Sequence, residues 1–374
     1  MKIGIDARCL EWESGGVARI LSNMLRIWPS LTDQHAVSLY FENKVPADDY
    51  LRNPMYQHHI IPGLPGIKKH RNLGEQLFLP WTILQDKPDL FFAPYYTAPL
   101  YCPCPKVVVA AWDISYTTHG DQYPFRQALQ MSFLSHRACR RAAGVVTCSP
   151  YDGRQIERFY KIPANRICVL QLAADDKFKK PADTGALEAL RKKYRLPKRY
   201  ILSMGVILNR RNVPVIIDAF KEISREFPDT GLVVAGRNST APRIDIAASM
   251  KSLTEKGQGI YLPRIPEEEL TLFYTGAWYY ICTSTVDGEA LMLKEAMMCG
   301  RPVITSPLLE ETIGGNGIIL HDPTSVQETI KVLRQVLLTT EYDRQTQGLK
   351  GQEWVSSLSW EKVARDCLGF IEKA

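Results

Sequence analysis

Two acidic residues eight apart, Asp287 and Glu295, stand in the stretch Asp287-Gly-Glu-Ala-Leu-Met-Leu-Lys-Glu295-Ala-Met-Met-Cys-Gly300-Arg-Pro-Val. Its order of residue types reads as loop, helix, glycine C-cap and strand, with Gly300 where a helix ends in a left-handed residue. Eight residues span at most ~12 Å of helix, so the two carboxylates can hold different ends of one ligand. The backbone N–H groups of Gly288, Glu289, Ala290, Leu291 and Met292 open that helix, and such a terminus favours a diphosphate. The plainer alternative makes Asp287 an N-cap and Glu295 a surface acid. A second group is Gly205-Val-Ile-Leu-Asn-Arg210-Arg211-Asn212, a loop leaving a strand and entering a helix. Cationic side chains there can neutralise charge growing on a departing nucleoside diphosphate, although adjacent arginines are also ordinary surface charges.

Further candidates lie in the first half. Gly15 and Gly16 precede a helical stretch and follow Lys2-Ile-Gly-Ile-Asp6-Ala-Arg8, and paired glycines let backbone approach a ligand closely. Asp6 and Arg8 read as a structural salt bridge. Val107–Tyr116 (VVVAAWDISY) ends an apolar run on Trp112 and Asp113. Trp112 offers a face for stacking on a sugar, and Asp113 is an acceptor-side candidate or a turn cap. Between Ile61 and Trp81, Lys68, Lys69, His70 and Arg71 sit among proline, glycine and apolar residues. That segment could dock on anionic lipid or a lipid-linked glycan; a surface loop before a core helix at Gln76–Leu84 is the alternative.

The acidic stretch resembles the Glu-x7-Glu signature of retaining family 4 (group 1) glycosyltransferases, EGFGLPxxEAMAxGxPV, with Asp287 for the first Glu, Glu289 for Phe and Ala290 for Gly. The likeness extends to the strand-loop-RKN pattern, with Arg211 in the lysine's place, and to the GIDxR…GGxxR opening. It also covers the His-Asp-Leu-Ser-Phe strand end, with Trp112 for the histidine, the strand and Ser-capped helix at Ala143–Phe159, the loop at Leu262–Leu270, and Ser359-Trp360-Glu361. The resemblance implies a GT-B α/β fold: two facing, doubly wound Rossmann-like domains with a cleft between. It implies that Asp287 meets the donor sugar, Glu295 the ribose, Arg211 the pyrophosphate, Ile265 the base through its backbone, and Gly15 and Gly16 the phosphates. The implied reaction is retaining, metal-independent transfer of a hexose from a nucleotide sugar to a glycan or lipid-linked saccharide, of bacterial polysaccharide type. GDP-mannose is the first donor and a UDP-sugar the second. A binding or scaffold protein that keeps the fold without turnover is the alternative.

The elements that must position these residues are legible in outline. Apolar runs at Lys2–Ile5, Val107–Ala111 and Gly144–Cys148 alternate with amphipathic helical stretches through roughly the first 175 residues, a βαβ pattern. After Gly16, the residues Val17, Ile20, Leu21, Met24, Leu25 and Trp28 fall on one helical face. The basic, proline-containing stretch Lys177–Arg199 reads as a connection, and a second series begins at Tyr200. The predicted division is 1–180 for an N-terminal acceptor-side domain and 198–355 for a C-terminal donor domain. A last helix, 356–374, returns to the N-terminal domain.

Composition narrows the chemistry. With 374 residues, 45% apolar and 23% charged, the chain reads as two globular domains. No apolar run reaches the ~18 residues of a membrane span, and the charged N-terminus does not read as a signal peptide, so a cytoplasmic protein is expected, with a peripheral contact to the inner membrane face. Nine scattered cysteines without a CxxC pair read as reduced thiols, and a net charge of +6 is too mild to argue for nucleic acid. Asp-x-Asp, HxxxH, GxSxG, P-loop and GxGxxG spacings are all missing from the sequence, so no cofactor or metal is expected.

Overall fold

The computed structural model describes residues 1–12, 15–62, 74–179 and 183–374. The chain forms two units, Met1–Leu172 with Ser359–Ala374, and Ala173–Leu358. The first is built on seven parallel strands: β1 (Lys2–Asp6), β2 (Ala36–Phe41), β3 (Tyr56–Ile60), β4 (Leu90–Ala93), β5 (Val107–Ala110), β6 (Gly144–Thr147) and β7 (Ile167–Val169). Their order is β3-β2-β1-β4-β5-β6-β7, so the winding reverses between β1 and β4, where Ile3–Ile5 pair with both Val37–Leu39 and Leu90–Phe92. In the five inner strands these apolar runs are buried on both faces, as a parallel sheet covered by helices requires, whereas the edge strands β3 and β7 are largely uncovered.

Alternation along β6 sorts the helices. Val145 joins the core shared with helices α2 (Leu79–Asp86), α3 (Phe125–Arg141) and α4 (Pro150–Tyr160), through Leu79, Ile83, Ala138, Cys139, Ile156 and Tyr160. Gly144, pointing the other way, lies under Phe370 of the last helix, α12 (Trp360–Lys373); a Cβ there would come within 2.6 Å of that ring. Beside α12 runs α1 (Gly16–Leu31), whose buried face is the expected Val17–Trp28 stripe, and Trp28 Nε1 donates to the Ala364 carbonyl at 3.1 Å. Ser149 caps α4 by accepting from Asp152 N at 3.0 Å, with Pro150 at the first helical position.

The second unit has six parallel strands: β8 (Arg199–Met204), β9 (Thr230–Ala235), β10 (Gly259–Leu262), β11 (Tyr279–Cys282), β12 (Val303–Thr305) and β13 (Ile318–Ile319). They are ordered β10-β9-β8-β11-β12-β13, with the reversal between β8 and β11. Tyr279 and Ile281 face a core with α6 (Val213–Ile223), α7 (Ile246–Glu255) and α10 (Val326–Leu338). Tyr280 and Cys282 face a second core with α5 (Thr184–Tyr194), α8 (Leu270–Gly276), α9 (Leu291–Met298) and α11 (Glu341–Ser356).

The domain limits differ from the sequence reading. The stretch Lys177–Arg199 is not a bare connection: Asp183 accepts from Gly185 N and Ala186 N to start α5, and Leu190 is buried in the second unit's core. The division therefore falls at 172/173 rather than 180/198. Lysines and arginines cover the outer turns of α5, so its narrow apolar stripe was hidden by the stretch's basic composition.

Candidate functional site

In an open parallel sheet, ligands bind beyond the carboxyl ends of the strands where the winding reverses. In the second unit that point is flanked by the loops after β8 and β11, which carry Arg210–Asn212 and Asp287–Ala290. Reciprocal bonds hold the two loops together. Asn212 Nδ2 donates to the Thr283 carbonyl (2.9 Å), Thr283 Oγ1 to the Arg211 carbonyl (2.8 Å), Thr285 N to the Arg210 carbonyl (2.8 Å) and Arg210 Nε to the Val286 carbonyl (3.2 Å). Asn212 sits at φ 49°, a left-handed conformation that asparagine tolerates, and turns the chain into α6.

Arg211 lies at the centre. Its side chain is only 16% exposed; Nη2 reaches Asp287 Oδ2 at 3.3 Å and Nη1 reaches Met292 Sδ at 3.5 Å, while Nε is buried without a hydrogen-bond partner. Burial alone would lower the guanidinium pKa; the Asp287 carboxylate, first among the neighbouring groups, raises it, and the net shift is upward. The group is thus a fixed positive charge with unspent donor capacity. It passes over Gly205, at φ +126°, where a Cβ would meet Arg211 Nη1 at 2.1 Å and Met292 Sδ at 2.3 Å. Gly236, at φ +138°, allows the next approach, because a Cβ there would fall 1.8 Å from the Gly205 carbonyl oxygen.

Around this charge stand groups that the sequence reading did not single out. Tyr280 donates to the Met204 carbonyl at 2.8 Å; burial foremost holds its phenol well above the ordinary value, with Cys282, Arg211, Glu295 and Asp287 all close enough to act on it. Glu295 is buried in α9 and accepts from Tyr274 Oη at 2.6 Å, so it is not a surface acid. Neighbouring Lys294 is also fully buried. The alternation in Tyr279-Tyr-Ile-Cys282 is the signal that could have separated Tyr280 from Tyr279. Asp287 Oδ1 accepts from Ala290 N at 3.4 Å, and Ala290, at φ 48°, starts α9 with no side-chain cap. Gly288 is buried, Glu289 and Met292 are half-buried, and Leu291 is buried in the first turn. Ile265 follows β10, half-buried against the second core.

In the first unit, Asp6, Arg8 and Glu75 form a buried ionic network. Arg8 Nε and Nη2 donate to the two Asp6 oxygens at 2.8 and 2.7 Å, Nη2 also donates to Glu75 Oε2 at 3.0 Å, and Thr97 Oγ1 donates to that same oxygen at 3.0 Å. Burial lowers the Arg8 pKa, but Asp6 and then Glu75 outweigh it and the net shift is upward. The Asp6–Arg8 pair is the structural bridge anticipated; Glu75, 67 residues away, is its unforeseen third member. Trp112 departs from the expectation of a sugar-stacking face. It is 1% exposed, and its Nε1 donates to the Pro94 carbonyl at 2.8 Å, so ring and polar handle are both used in the interior. Asp113 is buried, accepting from Ser115 N at 2.7 Å and Ser115 Oγ at 2.6 Å, which is its capping alternative. Gly15 is exposed at the start of α1, which has no side-chain cap, and Gly16 is half-buried behind it. Lys68 and Lys69, with His70 and Arg71, lie outside the described residues.

Two doubly wound parallel-sheet units, the second with the buried Arg211 guanidinium at its switch point, form an α/β architecture of GT-B type. The structure superposes over its full length on that of WaaG, a glycosyltransferase involved in lipopolysaccharide biosynthesis, with a TM-score of 0.74 at 15% identity. It superposes equally fully on Anabaena HepE in complex with UDP and glucose, with a TM-score of 0.73 at 15% identity. The family of glycosyl transferases group 1 matches residues 188–348, and Glycosyltransferase Family 4 matches residues 14–178. These matches together span most of the chain, which belongs to the group 1, family 4 glycosyltransferases. Among characterised relatives it is 24% identical to O-antigen chain mannosyltransferase B of Escherichia coli over 287 residues, 75% of this chain and 73% of the relative.

Proposed function

We propose that the chain transfers a hexose, with retention and without a metal, from a nucleoside-diphosphate sugar to a glycan or lipid-linked saccharide. GDP-mannose is the first donor to try and a UDP-sugar the second; the mannosyltransferase relative supports the former and the UDP-bound structural neighbour the latter. The observation that carries this reading is the buried Arg211 guanidinium, with Nε unpartnered and only long contacts at 3.3 and 3.5 Å. An unsatisfied buried donor costs roughly 1–3 kcal/mol, and a pyrophosphate oxygen would relieve that cost.

In this reading the pyrophosphate engages Arg211 and the uncapped amides that begin α9, leaving Asp287 to accept from sugar hydroxyls. Glu295, oriented by Tyr274, is the ribose partner. The bond from the anomeric carbon to the β-phosphate oxygen breaks, the acceptor oxygen bonds to that carbon on the same face, and the acceptor proton passes to the departing phosphate. Arg211 supplies positive charge as the phosphate gains negative charge. A second reading, nucleotide-sugar binding without turnover, is favoured by the interior placement of Trp112, where the family resemblance has a histidine.

The test is to incubate the chain with GDP-mannose or UDP-glucose, with and without EDTA, and to follow nucleotide release and the anomeric configuration of the product. Turnover in EDTA with a retained anomer supports the reading. Thermal stabilisation by a nucleotide without turnover selects the binding protein, and no response to any nucleotide sinks both.

A further inference from the structure

The loops of the candidate donor site leave the carboxyl ends of β8 and β11, and three arginines gather at the opposite, amino edge of the same sheet. Arg199 is the first residue of β8, Trp278 immediately precedes β11, and Arg301 stands two residues before β12. The Arg199 and Arg344 guanidiniums both lie over the Trp278 ring, 4.4 and 4.5 Å from its centroid. Arg344 comes from the first turn of α11. One turn later, Gly348 lets that helix press on the turn after α9, because a Cβ there would fall 2.2 Å from the Gly300 carbonyl oxygen. Residues four apart share a helix face, so this contact sets Arg344 beside Arg301.

Arg344 is 4% exposed, and its donors are only partly used. Nη2 donates to the Glu341 carboxylate, while Nε and Nη1 are buried without an acceptor. The Trp278 ring attracts the cation as a whole, and a buried donor without an acceptor remains costly. Arg301 spends Nε on the Cys299 carbonyl at 3.2 Å, and no acceptor among the described residues takes its terminal nitrogens. Among the described residues, Glu341 is the only carboxylate within ion-pair distance of the three guanidiniums, and it also accepts from Gln345 Nε2 at 2.8 Å. Asp343 takes the Thr340 hydroxyl at 2.7 Å. Burial, and after it the Arg344 charge, push the Arg301 guanidinium down to about 10. Three cations balanced by one acid leave an excess of positive charge at this edge.

We propose that Arg199, Arg301 and Arg344 form a second anion site of this unit, which holds a phosphate group at the amino edge of the sheet. Arg199, exposed, and Arg301, half-buried, supply the outer donors, and Arg344 supplies the inner charge with its unspent N–H groups. A tetrahedral phosphate offers more acceptor oxygens than a carboxylate and suits planar guanidinium forks. Because Arg211 stands at the other edge of the sheet, a phosphate here is not the donor pyrophosphate. The two places are joined by α9, which starts at the donor loop and ends in the turn where the Arg301 N–H donates to the Ala296 carbonyl at 2.9 Å. The site does not depend on the transfer reaction proposed above.

The experiment is equilibrium dialysis of the full chain against radiolabelled inorganic phosphate at constant ionic strength, with Arg211→Ala as the background so that phosphate on the donor site is not counted. The expected result is one phosphate per Arg211→Ala chain. In that background Arg301→Gln and Arg199→Gln should each weaken binding at least about tenfold, the loss of one charged hydrogen bond, with unaltered thermal unfolding. Arg344→Met should abolish binding and leave the phosphate-free chain as stable or more so, which loss of a merely structural arginine would not do. The two outer variants decide the question even where Arg344→Met does not fold. A competition arm names the source of the phosphate. Displacement by a hexose phosphate at lower concentration than inorganic phosphate assigns the site to a phosphate ester, and failure to displace assigns it to the free ion. The proposal is overturned if the Arg211→Ala chain retains no phosphate, since any bound to the unaltered chain then sits at the donor site. It is equally overturned if Arg301→Gln and Arg199→Gln bind as their background does. None of these readouts depends on sugar transfer.

Discussion

Arg211 is held in place by what surrounds it more than by what it bonds. Its two side-chain contacts are long, and its position rests on the absence of a side chain at Gly205 and on Met292 beside it. Arg211→Ala should therefore leave the fold intact and reduce kcat/KM by roughly 10²–10³, the usual cost of deleting one donor aimed at developing charge. Arg211→Lys keeps the charge but loses the planar fork and should fall between the two. Initial rates of nucleotide release, with thermal unfolding as a folding control, check both. Much of this site was legible in sequence, because the types and order of residues in loops after strands define it. Burial was not legible: nothing local to Glu295 or Trp112 says that one is pinned by Tyr274 and the other is spent on Pro94, since both partners come from distant segments. Ala290 shows a departure with a physical cost. A non-glycine residue at φ 48° costs about 1–2 kcal/mol, partly offset because alanine loses less chain entropy on folding than glycine. Ala290→Gly should thus raise stability by up to about 1 kcal/mol, or about 2–4 °C in the unfolding midpoint of the second unit. A lower midpoint would show that the turn is not strained.

Among elements, strand ends matter most, because each parallel strand of the second unit hands its chain to a loop at the candidate site. Three glycines of this unit separate steric from conformational cost. At Gly257 (φ +72°) a Cβ meets nothing within 4 Å; at Gly205 it meets the ends of two side chains; at Gly236 it meets backbone oxygen at 1.8 Å. Alanine should therefore destabilise in the order Gly236, Gly205, Gly257. The last loses only the left-handed penalty of about 1–2 kcal/mol, and Gly236→Ala exceeds it severalfold because two β-strand ends must part. Gly205→Ala carries a second signature: by displacing Arg211 it should weaken nucleotide binding, whereas Gly257→Ala should not. Paired measurements of unfolding midpoint and nucleotide-induced shift distinguish these outcomes, and equal loss of binding at both positions would contradict the geometry. The strands ending at Gly205 and Gly236 were readable as apolar runs, whereas β10 after Gly257 was not singled out. Helix α5 was not, because only Leu190 among its residues is fully buried while its basic residues resemble a linker.

At the scale of the molecule, the chain's last helix completes the first unit rather than the second that precedes it. Val363, Ala364, Cys367, Leu368 and Ile371 are buried, Phe370 covers Gly144, and Trp28 spends its N–H on the Ala364 carbonyl. Four larger side chains of this kind, at roughly 1.5–3 kcal/mol each, amount to as much as a whole domain's net stability. A chain ended at Leu358 should therefore lose the cooperative unfolding of the first unit while keeping that of the second, whose core draws nothing from residues 359–374. The donor site proposed above lies entirely on the second unit, so its ligand can report which unit survives. In the unshortened chain, a bound nucleotide at about a hundredfold over its Kd should stabilise the unit that carries Arg211 by about 2.7 kcal/mol. Calorimetry of the shortened chain should show a single transition that still moves upward with nucleotide. If that transition is unresponsive, the nucleotide site needs the first unit and the assignment to Arg211 and its neighbours alone is wrong. If two transitions remain, α12 contributes less to the first unit than its burial implies.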